Sequence, residues 1–199
     1  MRSKGAIGLV VIALLIFFAG CAGCSSYNKL VGIDETVGKS WADVESQYQR
    51  RADLIPNLVN TVRGAAEFER STLEAVTAAR ARATSIQVTV DDLEDAAKVK
   101  SFMDAQGELG QSLGRLIAVS EDYPELRATE AYRDLSNQIE GTENRIAVAR
   151  RDYNRAVQGY NTAVRRFPMS IVAGISGFTS RTPFEAEEGA EEAVPLDLQ

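Results

Sequence analysis

The chain has 199 residues, of which 45% are hydrophobic and 25% charged, the proportions of one ordinary domain. Its 28 acidic and 22 basic residues give a net charge of -6, which excludes nucleic acid as an expected partner because phosphate neutralisation needs a clustered basic face. Histidine is absent and the two cysteines, Cys21 and Cys24, sit near the start. The body beyond them lacks the usual proton shuttle and the soft metal ligands, so no metal, no cofactor and no covalent thiol chemistry are expected of it.

From the N-terminus, Arg2 and Lys4 precede an apolar run from Gly5 to Phe18, followed by Ala19, Gly20 and Cys21. This is the three-part form of a secretory signal. The run is short for a bilayer core of about 30 Å, although extended to Cys24 it could just span. Phe18-Ala19-Gly20-Cys21 also resembles a bacterial lipobox with an unusual first residue, so Cys21 is a candidate lipid anchor and a retained single span is the alternative. Under either reading, residues 1–24 tether the chain to a bacterial membrane. The cationic residues stay cytoplasmic, and the body faces the periplasmic or extracellular side.

Leu30, Val37, Trp41, Val44 and Tyr48 mark an apolar stripe with three and four spacing, and Asp34 and Arg51 fall on it. The pattern predicts a helix over about residues 27 to 52. Pro56 then removes a backbone donor and disfavours helical geometry at Ile55, so a second helix is predicted from about Pro56 to Thr84. A β-branched loop follows, from Thr84 to Val90. Asp91 and Glu94 are a plausible capping pair for a third helix over about residues 92 to 120. Within that helix Gly107, Gly110 and Gly114 suggest close approach to a neighbouring helix, or else flexibility.

The longest pattern is a heptad seam from Ala128 through Tyr132, Ile139, Ile146, Tyr153 and Tyr160 to Phe167, with Pro124 suited to the first turn. It predicts one helix over about residues 125 to 166. Pro168 closes it, and an apolar, glycine-rich segment carries Ile171, Ile175 and Phe178 as candidate membrane or partner contacts. Residues 185–199 are acidic without aromatics and read as a disordered tail. The fold class expected is all-α, an up-down four-helix bundle over residues 27–184. An even number of passes returns Ile171 to Phe178 to the vicinity of Tyr27. The alternative is a three-helix bundle, in which Pro56 only kinks the first helix and the segment ends far away.

The strings Arg50 to Val59, Thr142 to Arg150, Tyr153-Asn154, Tyr160-Asn161-Thr162 and Arg165 to Pro168, continuing to Phe178 and Phe184-Glu185, resemble the LemA family of bacterial membrane proteins over about residues 27 to 186. The resemblance implies an N-terminal membrane segment and an antiparallel helical bundle. It implies no catalytic residues, the family's molecular role being unsettled. Two function classes follow. One is a membrane-anchored scaffold or interaction module, not an enzyme, whose partners are the membrane and other membrane-associated proteins, with a homo-oligomer allowed. The other is a ligand-binding protein or enzyme using the polar cluster Arg50, Arg51, Asp53 and Asn57 with Glu143, Asn144, Arg145 and Arg150. Such charges on facing helices more often fix register, and a pocket above about 300 Å³ lined by them would favour the ligand reading.

Overall fold

The computed structural model describes residues 2–64 and 69–185, which are all-helical with no strand among them. The acidic tail beyond Glu185 lies outside the described residues. The first helix, α1, runs unbroken over Arg2–Arg63 with Pro56 inside it. This corrects the boundary expected at Pro56. The proline is exposed, whereas Ile55, Leu58, Val59 and Val62 on either side of it are buried. Continued burial of the stripe offsets the roughly 3 kcal/mol that an interior proline costs. The predicted break falls later, where Gly64 closes a turn on the Thr61 carbonyl, and α2 spans only Arg70–Ser85.

The chain after α2 is non-helical as expected, but not loose. Val88 is buried and its carbonyl accepts the Trp41 indole N–H at 2.9 Å. A single 3-10 turn, Asp91–Glu94, precedes α3 over Ala96–Ser120. The cap of α3 is Asp95, whose carboxylate accepts from the Ala97 and Lys98 N–H groups, and not the expected Asp91 pair. Pro124 opens the short α4, Pro124–Ala128. The long helix therefore starts later than predicted: α5 spans Glu130–Arg165, capped by the Thr129 hydroxyl on the Tyr132 N–H. A last helix, α6, covers Met169–Ser176 and ends at Gly177, whose φ of 77° reverses the chain.

Three stacked apolar clusters show how the helices lie. In the middle one, Trp41 and Tyr48 of α1 meet Phe102 of α3 and Tyr153 of α5. In the far one, Ile55 to Val62 of α1 meet Leu73 to Ala83 of α2, Leu109 to Leu116 of α3, and Tyr132 and Ile139 of α5. In the near one, Leu30 meets Ala163 and Ala173. Thus α5 runs back along α1 through all three clusters, and Phe178 returns to Tyr27 with ring centroids 5.8 Å apart. The distant placement that a kinked Pro56 would have implied does not occur. The seam itself holds from Tyr132 to Ala163. Its two ends do not, since Ala128 is exposed and Phe167 is exposed beyond the helix end.

Candidate functional site

The predicted polar cluster divides. Arg51, on the core-facing stripe of α1, is 3% exposed and donates through Nη1 to Glu143 Oε1 at 2.8 Å. Its Nη2 donates to the Gln106 carbonyl at 2.9 Å and to Gln106 Oε1 at 2.7 Å, while the Gln106 amide donates to the Ala83 carbonyl. The guanidinium also lies 5.1 Å from the Tyr48 ring centre. One buried cation therefore ties α1 to α3 and α5, and through Gln106 to α2. Three acceptor atoms and an aromatic face offset the desolvation that would otherwise make a buried guanidinium costly.

The other predicted residues lie apart. Arg50 and Asn57 are exposed, and Asp53 accepts from the Gln49 amide at 2.8 Å on the surface. Asn144 and Arg145 border a hollow of about 370 Å³ with Ser40, Asp43, Gln47 and Asp152. Arg150 turns toward the C-terminal segment, stacking over Phe184 at 5.0 Å and donating to the Glu185 carbonyl at 3.2 Å. An open groove of about 1020 Å³ lies between α3 and α5, bordered by Arg51, Gly107, Gly110, Gly114, Glu143 and Arg150 among others. The glycines face this groove. A Cβ at Gly107 or Gly114 would meet nothing within 4 Å, and one at Gly110 would meet only Arg51 Nη1 at 3.6 Å. The close helix approach expected of them is absent.

A second polar centre was not anticipated. Arg181 is 7% exposed and donates to Asp34 at 3.2 Å, to Glu94 at 2.9 Å and to the Val90 carbonyl at 3.2 Å. Burial alone would lower the guanidinium pKa, but Asp34, Tyr160 and Glu94 together hold it above its usual value. Asn161 brackets the same residue, donating to the Arg181 carbonyl and accepting from the Arg181 N–H, both at 2.8 Å. Asn154 does the same for Phe184, at 2.9 and 2.8 Å. Between them the Tyr153 hydroxyl donates to the Thr182 carbonyl at 2.8 Å. Burial pushes that phenol well above the ordinary tyrosine range, against the pull of Arg181.

The spacing explains the fit. Seven residues of helix rise about 10.5 Å, close to the roughly 10 Å that three residues of extended chain span, so Asn161 and Asn154 are in step with Arg181 and Phe184. Each tyrosine enters the core and each following asparagine offers one donor and one acceptor to a passing backbone. The visible signal was the Tyr-Asn pair repeated at seven residues. Asp34 and Arg51 had been placed on the apolar stripe of α1 by their spacing. Gln106 and Arg181 carried no local signal, and Glu94 had been read only as half of a capping pair.

At the start of α1, every described side chain among Val11, Ile12, Leu14, Ile16, Phe17 and Phe18 is exposed, and the stretch is long and apolar enough to cross a membrane. Cys21 and Cys24 are exposed and unpaired in the same helix.

Comparison with known proteins agrees with the residue strings. The model of the LemA family matches residues 40–197. Two proteins of Paramagnetospirillum magneticum, magnetosome protein MamQ 1 and magnetosome protein MamQ 2, are each 28% identical over 203 residues, which covers 94% of this chain and 75% of theirs. Protein LemA of Metamycoplasma hominis is 24% identical over 161 residues, covering 81% of this chain and 69% of its own. With nearly all of the body matched, the chain belongs to the LemA family.

Proposed function

We propose that the chain is a membrane-anchored helical interaction module: an up-down four-helix bundle over residues 27–184, formed by α1, α2 with the segment after it, α3 and α5, and held outside the cytoplasmic membrane by residues 1–24. The observation that carries this reading is the continuity of α1. One helix joins an apolar stretch with exposed side chains to the stripe that fills all three core clusters. Residues 2–26 would rise about 37 Å, enough for a bilayer core of about 30 Å. The relatives' names specify no reaction, which supports a scaffold over an enzyme. Protease added to spheroplasts is expected to digest the body. Resistance until the membrane is opened would reverse the orientation. If Cys21→Ser leaves mass and membrane association unchanged, the anchor is a span and not a lipid.

A second reading rests on the groove between α3 and α5. Its volume of about 1020 Å³ lies above the roughly 300 Å³ lower bound of ligand clefts, and Arg51, Glu143 and Arg150 border it. The groove supports a ligand or a partner segment lying across the glycines. A photo-crosslinking residue at Gly114, where an added side chain meets open space, is expected to give a discrete adduct in native membranes that is lost in Arg51→Gln. Identical products from Gly114 and from the exposed Val148 would leave the groove without a specific occupant.

A further inference from the structure

We infer that α6 is a second membrane contact, an interfacial element that lays Phe167, Ile171 and Ile175 against the lipid headgroup region of the bilayer that holds α1. The inference rests on the membrane-anchored reading and adds where the body touches lipid. Phe167, Ile171 and Ile175 are 76%, 55% and 82% exposed, a density of open apolar surface found elsewhere among the described residues only in the anchor itself. Ile171 and Ile175 are four residues apart and share one face of α6. The opposite face is committed, because Ala173 is buried and Met169 and Val172 pack with it on Leu30 and Ala163. The exposed face is therefore not a rotated core face awaiting the bundle.

Its height identifies the occupant. If Gly5 to Cys24 fill the hydrocarbon, about 30 Å of helix, Tyr27 stands roughly 4.5 Å beyond its edge, at the depth where aromatic belts form. If Cys21 instead carries the lipid, Tyr27 stands about 9 Å from it. Phe178 is held against Tyr27, and Ala173 of α6 is buried with Leu30, three residues farther along α1. Charge agrees with depth. No acidic residue lies between Asp152 and Glu185, whereas Arg165 and Arg166 are exposed just before α6 and Lys29 is exposed on α1 next to Leu30, which packs with Ala173 of α6. Cations next to an apolar face suit lipid phosphates and anionic headgroups. A second protein would have to tolerate the same cations at the same depth, and nothing in the charge pattern favours that.

The test uses the full chain carrying Cys21→Ser and Cys24→Ser, with one fluorophore on Ser176→Cys or, as a control, on Val148→Cys. By helix rise the control site lies roughly 27 Å farther from the anchor. In vesicles of phosphatidylcholine and phosphatidylglycerol containing a lipid quencher at shallow depth, quenching at position 176 is expected to be several-fold stronger than at 148. Adding Ile171→Asp and Ile175→Asp is expected to bring it down to the control level without changing the melting temperature, both side chains being exposed. Equal quenching at the two sites in vesicle-bound chain overturns the inference and leaves the anchor standing. So does strong quenching at 176 that survives the two aspartates. Chain that does not associate with vesicles at all overturns the retained span and this inference together, and leaves lipidation at Cys21 as the anchor.

Discussion

Ile146→Asp is expected to remove most of the bundle's stability. Ile146 is 4% exposed in the middle cluster, so the substitution places a carboxylate among apolar groups without a designed partner. The loss should be roughly 3 to 5 kcal/mol, against a total of about 5 to 15 for a domain. At this chain length that lowers Tm by about 6 to 20 °C. Val148→Asp, two residues away on the same helix, changes a side chain that is 46% exposed and should stay within about 0.5 kcal/mol. Helix propensity changes alike at both sites, so the contrast isolates burial. Equal Tm losses in thermal unfolding by circular dichroism would contradict the placement of the seam.

That contrast also separates what was legible in the sequence from what was not. Burial periodicity is a local property, and it located the core-facing stripe of α1 from Leu30 to Tyr48 and that of α5 from Tyr132 to Ala163. It also placed Arg51 on the core-facing stripe of α1. Periodicity says nothing about which segment supplies the partner. Glu143 belonged to the expected cluster, but Gln106 emerged only because α3 passes beside Arg51. Breaks were harder still. A proline was read as a stop where its ring simply faces solvent, and an uninterrupted seam was read through Thr129, where a hydroxyl cap restarts the helix. The three glycines of α3 illustrate the same limit, since small residues permit close approach without requiring it.

The candidate sites follow the same division. Arg50, Asp53, Asn57, Asn144 and Arg145 share a sequence neighbourhood with Arg51 and Glu143 but not their direction, because adjacent residues on a helix point about 100° apart. The return of residues 178–185 along α5 brings Arg181 to Asp34 and Glu94 across long sequence separations, and no short pattern encodes that. What the sequence did contain was half of the device, the asparagines following Tyr153 and Tyr160. A repeated polar residue beside a seam is thus a cue that a backbone, and not a helix face, passes there.

Arg181→Met is accordingly expected to free the C-terminal segment. The methionine keeps most of the apolar stem but leaves Asp34, Glu94 and the Val90 carbonyl facing a site with no donor. Breaking a fully buried ion pair costs about 3 to 5 kcal/mol, but the Asp34 and Glu94 side chains keep 25% and 40% of their exposure and can turn partly to water. The discounted loss is about 2 to 3 kcal/mol, read as a fall in the urea midpoint. Adding Asp34→Asn and Glu94→Gln removes the unpaired charges and should recover about half of it, making the triple variant more stable than the single one. Hydrogen exchange separates a local from a global effect. The Thr182 N–H, which donates to the Leu93 carbonyl at 2.8 Å, should lose protection in Arg181→Met before amides in the far cluster do. If the triple variant is no more stable than Arg181→Met, the carboxylates are not what the guanidinium neutralises. The Asn154 and Asn161 brackets would then suffice to hold the segment without it.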